Sequence, residues 1–111
     1  MYLYKCKVLN VVDGDTVDCE IDLGLFIKIV KRVRLYGINT PELLSTDLSE
    51  RTSAKAAKDF LVNLAPSITS IKTVLDKGDK YGRLLGTFYT KYDADVNTLM
   101  ITEGLAVSFL K

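Results

Sequence analysis

The chain has 111 residues, enough for one domain spanning 1–111 whose core needs neither disulfide nor metal to fold. Its 48% hydrophobic and 26% charged residues, with two prolines and seven glycines, exclude disorder and fibrous repeats, and a net charge of +1 leaves any polyanionic ligand to a local basic patch. Histidine is absent, which removes Ser-His and Cys-His triads, His-metal centres and most zinc sites, so any chemistry must use carboxylates, Arg, Lys, Tyr, Cys or a metal held by oxygen.

The opening third reads as β-structure. Tyr4, Cys6 and Val8 alternate with Lys5 and Lys7 up to a turn at Asp13-Gly14. Val17, Cys19 and Ile21 then alternate with Asp18, Glu20 and Asp22, which predicts a half-buried strand with an acidic outer face. Cys6 and Cys19 fall on the apolar phase of these neighbouring strands and are expected as buried reduced thiols; a disulfide would need an oxidising compartment. A break at Leu23-Gly24-Leu25 leads into a strand from Phe26 to Gly37. There Ile27, Ile29, Val33 and Leu35 share one face, Lys28, Arg32 and Arg34 the other, and Lys31 on the apolar phase suggests a bulge or a strand end.

Pro41 forbids a central strand through Asn39-Thr40-Pro41-Glu42, and the polar stretch through Arg51 reads as a surface loop. Ala54, Ala57, Phe60, Leu61 and Leu64 recur at helical spacing and predict an amphipathic helix over 53–64, stopped at Pro66. Strands follow over 68–75 and 84–89, joined by turn-rich residues 76–82, and a last helix over 96–103 ends at Gly104. Three strands, a helix, two strands and a helix predict an α+β, mainly β, fold: a five-stranded OB-type β-barrel with two helices. No apolar run reaches the roughly 20 residues of a membrane span, and Met1–Lys7 lacks a signal pattern. No membrane partner is expected. A cytoplasmic or phage-encoded protein is favoured, with a secreted parent as the other reading.

Four local features carry chemistry: Asp13-Gly14-Asp15-Thr16, the outward Arg34, Asn39-Thr40-Pro41-Glu42, and Tyr81-Gly82-Arg83. Singly, each has a plain reading as a turn, a solvated cation or a loop opener. Together they offer what phosphodiester hydrolysis needs: oxygen ligands for a hard cation, a base for water, and fixed positive charge for the transition state. Arginine suits the last role, since its planar fork matches phosphate oxygens and stays charged at any working pH.

The ordered segments Val12-Asp13-Gly14-Asp15-Thr16-Val17, Arg34-Leu35-Tyr36-Gly37-Ile38-Asn39-Thr40-Pro41-Glu42, Asp79-Lys80-Tyr81-Gly82-Arg83, Val96-Asn97 and Glu103-Gly104-Leu105-Ala106 resemble the staphylococcal (thermonuclease-like) nuclease family across nearly the whole chain. The resemblance implies a calcium-dependent phosphodiesterase that cuts DNA and RNA, single-stranded or frayed, with little sequence preference. Carried over by position, Asp15, Asn39 and the Thr40 carbonyl would hold Ca2+, Glu42 would be the general base, Arg34 and Arg83 would grip the scissile phosphate, and Lys80 and Tyr81 would sit at the nucleotide end.

Two departures qualify that expectation. Asn39 stands where the family's nucleases carry Asp, which lowers the charge offered to calcium. The chain also stops at Lys111, where the family's fold continues into another helix, so that helix is expected to be absent and a homodimer to cover the barrel surface left bare. The alternative is a catalytically weak or inactive OB module that binds nucleic acid or a protein partner.

Overall fold

The computed structural model describes residues 2–74 and 84–108. Its centre is a closed barrel of five strands: β1 (Leu3–Asp13), β2 (Thr16–Asp22), β3 (Lys28–Leu35), β5 (Ile68–Val74) and β6 (Leu84–Thr90), in the order β1-β2-β3-β6-β5. Neighbours are antiparallel except β3 and β6, which run parallel over three pairs among the described residues, Val33 with Leu84, Arg34 with Leu85 and Leu35 with Gly86. The order is the predicted one: a mainly β, five-stranded OB-type barrel with two helices.

Alternation sets what fills it. Val17, Cys19 and Ile21 of β2, Val33 and Leu35 of β3, Ile71 of β5 and Phe88 of β6 all point inward and are buried. Each such side chain contributes roughly 1.5–3 kcal/mol by leaving water. Cys6 pairs with Ile21 and Val8 with Cys19, so the two cysteines are diagonal neighbours on one face, and both are free thiols. Burial pushes the Cys6 thiol up to about 12 and the Cys19 thiol up to about 11, with Cys19 adding to the first and Asp18 to the second. Neither is poised as a nucleophile.

Helix α1 (Leu48–Leu64) buries Ala54, Ala57 and Leu61 against β1 and the core. It begins five residues before the predicted start. Asp47 caps it by accepting the Ser49 N–H at 2.9 Å, so the polar stretch before Ser53 is partly the first turn of the helix rather than loop. Pro66 lies in a short 3-10 turn over Ala65–Ser67 that follows α1.

Helix α2 (Val96–Thr102) is capped by Asp95 and leaves through Gly104 at φ 75°. Its Asn97 is buried and fully used: the amide donates to Tyr36 C=O (2.8 Å) and Gly86 C=O (3.0 Å), and its oxygen accepts the Phe88 N–H (3.2 Å). Two short strands that periodicity could not reveal, β4 (Ile38–Asn39) and β7 (Val107–Ser108), pair antiparallel beside the barrel.

β3 differs from its prediction in two ways. It starts at Lys28, because Leu25 and Phe26 take positive φ and cannot be strand residues, so Ile27 is exposed instead of facing inward. No bulge occurs at Lys31, since β2 and β3 pair without interruption from Thr16–Arg34 to Asp22–Lys28. Irregularities lie instead in β1, between Val8 and Asn10 and between Val11 and Asp13, where the strand bends into the turn, and in β5 between Ile68 and Ser70.

Candidate functional site

The β1–β2 turn carries Asp13, Gly14 and Asp15 to one end of the barrel. Gly14 is required there: a Cβ would lie 2.7 Å from Ala57 Cβ and 3.1 Å from Thr40, so the turn packs directly on α1 and on the loop after β4. Asp13 closes the turn by accepting the Asp15 N–H at 3.1 Å.

Asp15 is buried, and its two oxygens are engaged separately. One accepts the Thr16 hydroxyl (3.2 Å), the other accepts the Thr40 N–H (3.2 Å), and Arg34 Nη2 stands 3.8 Å away. Arg34 reaches across from β3, which pairs in register with Thr16. Its Nη2 also donates to Ile38 C=O (3.2 Å) and to Asn39 Oδ1 (3.1 Å). The structure therefore brings Asp15, Arg34, Asn39 and Thr40 into one cluster.

Burial pushes the Asp15 carboxyl up to about 6, reinforced by a hydrogen bond from the protonated carboxyl to Asp13 and by the charge of Asp13; the Thr40 N–H and Arg34 oppose the rise. An acid held up in this way is a charge short of compensation. The oxygens of the cluster are of the kind a hard cation takes: the Asp15 carboxylate, the Asn39 amide oxygen, which here accepts from Arg34, and the Asp13 carboxylate on the same turn. They fit calcium by chemistry, with Asp13 standing as an additional acid that the predicted ligand set had omitted. The i, i+2 spacing of Asp13 and Asp15 about a glycine was the signal for it. Among the described residues, no group of three or more His, Cys, Asp and Glu side chains gathers that could hold a metal ion.

Glu42 is exposed two residues beyond Thr40. Its loop is tied to α1 by Glu50, which accepts the Glu42 N–H (3.2 Å) on one oxygen and the Ser45 hydroxyl (2.8 Å) on the other; Ser45 Oγ in turn accepts the Asp47 N–H (3.1 Å). Sequence reasoning passed over Glu50, whose only trace was an acid in the polar stretch before the helix. Beside this loop lies a groove of about 380 Å³, with Asn39, Thr40 and Pro41 on one side and Ser53, Ala56 and residues 104–107 on the others. Lys80, Tyr81 and Arg83 lie outside the described residues. The strand they precede, β6, enters the barrel with Leu85 beside Arg34.

Comparison with known proteins agrees with the barrel fold. The family model of the staphylococcal nuclease homologues matches residues 32–111. A thermonuclease of Staphylococcus intermedius is 32% identical over 89% of this chain and 56% of its own length. An Escherichia coli protein named as an uncharacterized endonuclease is 28% identical over 90% of this chain and 58% of its own. Endonuclease YhcR of Bacillus subtilis (strain 168) is 30% identical over 96% of this chain but only 9% of its own. The chain spans about half the length, or less, of these relatives. A match over most of the sequence, on a closed five-stranded barrel, makes this chain a member of the staphylococcal nuclease homologue family.

Proposed function

We propose that the protein is a calcium-dependent endonuclease that hydrolyses phosphodiesters of DNA and RNA with little sequence preference. The observation that carries this reading is the Asp15–Arg34–Asn39–Thr40 cluster, where an under-compensated buried acid and a guanidinium share one end of the barrel. The names of the relatives, endonuclease and thermonuclease, support the same class of chemistry.

In this reading Asp15, Asn39 and the Thr40 carbonyl hold Ca2+, with Asp13 adding charge nearby. The bound ion would supply Lewis-acid polarisation of a phosphate oxygen. Glu42 takes the proton from the attacking water, and its exposed place on a loop clamped by Glu50 gives it access to solvent and a fixed main chain. Arg34 and Arg83 carry the negative charge that develops on phosphorus-bound oxygens as the P–O bond to the leaving group breaks. Lys80 and Tyr81 take the nucleotide end. All these residues belong to one chain, so the reading requires no second copy.

Asn39 supports a weak-metal variant of the reading: an amide brings no charge, so half-maximal activity is expected at higher calcium than an aspartate would need. The test is cleavage of denatured DNA and of RNA with calcium, with a chelator control and with Glu42→Gln. Cleavage that requires calcium and drops about 10²–10³-fold or more in the variant supports the proposal. A folded protein that cuts neither polymer at any calcium concentration sinks it and leaves the inactive binding module.

A further inference from the structure

The end of the barrel opposite the cluster is built at a conformational cost. β2 and β3 leave the site at Thr16 and Arg34 and arrive at Asp22 and Lys28, roughly 20 Å away at about 3.3 Å per residue. In the connecting turn Gly24, Leu25 and Phe26 all take positive φ, at 82°, 56° and 63°. The turn is closed by Ile27 N–H to Gly24 C=O at 2.9 Å and Leu23 N–H to Ile27 C=O at 2.8 Å.

Hairpin turns with positive φ at both central positions take Asn-Gly or Asp-Gly, because in other L-residues the Cβ crowds the following carbonyl. Leucine and phenylalanine occupy those positions here, and both side chains stand exposed, so no packing among the described residues offsets the strain. Phe26 is 105% exposed and Leu25 89%. Leu23, Ile27 and Val30 are exposed around them, as is Leu3, two residues before the Lys5 that pairs with Asp22. Strain kept where it serves no folded contact points to an external partner.

The charges behind the tip identify the partner's chemistry. Lys5 and Lys28 flank Asp22 in the ladder, and Lys72 lies opposite Leu3. The nearby acids are engaged: Asp22 accepts the Gly24 N–H at 2.8 Å, and Glu20 meets Lys28 at 3.7 Å. Lys5 and Lys72 are exposed and in no ion pair among the described residues.

We propose that this hairpin tip docks on an anionic lipid surface, with Leu25, Phe26 and Ile27 entering the boundary between headgroups and acyl chains and Lys5 and Lys72 meeting lipid phosphates. A narrow convex tip suits a bilayer, which closes around any apolar shape, whereas a protein partner would have to supply a matching socket. A nucleic-acid strand lying along the same face would run over Asp18, Glu20 and Asp22, with Arg32 already held by Asp18 at 2.8 and 3.2 Å. No helix of the described residues is long and apolar enough to cross a membrane, so the attachment is to the surface. Docked by its tip, the barrel would present the Asp15–Arg34 end to the aqueous phase.

The test is co-sedimentation of the protein with vesicles of equal parts phosphatidylglycerol and phosphatidylcholine, beside phosphatidylcholine alone. It compares the wild type with the double variant Leu25→Asn/Phe26→Gly, whose residues accept positive φ. The proposal expects binding to the anionic vesicles, weaker binding to the neutral ones, and a loss of about tenfold or more in the variant. The variant should also unfold at higher urea than the wild type, since the turn strain is relieved. Wild type that stays in the supernatant with anionic vesicles overturns the proposal, as does a variant that binds them equally well. Should the variant instead abolish self-association in sedimentation velocity, or weaken binding of a DNA oligonucleotide, the tip belongs to a second copy or to nucleic acid and not to lipid.

Discussion

β2 and β3 end in opposite ways. At Thr16 and Arg34 the strands deliver polar groups into a packed setting, where a glycine allows the turn to touch α1 and almost every polar atom of Asp15 has a partner. At Asp22 and Lys28 they deliver apolar groups into water on a strained backbone. Both ends depart from what stability alone would choose: one buries a carboxylate, the other exposes a phenyl ring. On the two readings proposed above, departures from ordinary burial, rather than composition or net charge, mark where this barrel meets other molecules.

The contrast can be broken first at the polar end. Arg34→Ala is expected to lower kcat/KM for denatured DNA by about 10²–10³-fold, the scale of losing a transition-state donor, with the barrel still folded by circular dichroism. An unchanged rate would remove Arg34 from the chemistry and leave it as a tether for Ile38 and Asn39.

Next in size is the stability stored against Asp15. Folding raises its carboxyl from 3.8 to about 6, so the folded state binds the proton more tightly than the unfolded chain does. Stability from this group is therefore highest below about pH 4, falls as pH rises toward 6, and stays low above it. Two units correspond to about 2–3 kcal/mol. Asp15→Asn is expected to be more stable than the wild type by about that amount at pH 7 in urea titrations without metal, and equal to it near pH 3.5. Calcium should raise the wild-type midpoint and leave the variant's unmoved. A variant less stable than the wild type at pH 7 would mean that the Thr40 and Arg34 contacts outweigh burial.

Gly14→Ala should cost about 1–3 kcal/mol, because the new methyl meets Ala57 Cβ and backbone-anchored Thr40 rather than the end of a flexible side chain. Gly14→Ala/Ala57→Gly should recover most of that loss, and failure to do so would place the strain in the turn itself. The smallest expected effect is at Glu50→Gln, which keeps the shape and weakens two hydrogen bonds to the Glu42–Ser45 loop, for about 1 kcal/mol. Its mark should be a few-fold drop in kcat with KM nearly unchanged, beside a urea midpoint lowered only by about the 1 kcal/mol of those bonds. Equal losses in kcat and stability would make Glu50 a structural residue only.

These two ends were unequally legible in the sequence. Alternation named the inward residues of β2 and the outward Arg34, and the Asp13-Gly14 turn announced itself by its residue types. The link between Asp15 and Thr40 joins residues 25 positions apart and could be reached only through family resemblance. The start of α1 was missed because apolar period gave out before the cap at Asp47, and β4 and β7 were missed because two-residue strands have no period. The tip was misread for a physical reason: Leu-Phe-Ile has strand propensity and no turn residue after Gly24, so local preference and actual conformation disagree.

Asn97 has a consequence in time. The parallel seam of β3 and β6 is three pairs long among the described residues, and Asn97 sews its two sides by holding Tyr36, Gly86 and Phe88 at once. A ribosome-bound chain that has emerged only through β6 owns every barrel strand but lacks this stitch, so the sheet can curl without locking shut. The order of synthesis thus places the clasp after the ring it fastens, and nascent chains are expected to gain protease resistance only once residue 97 and the rest of α2 have cleared the exit tunnel.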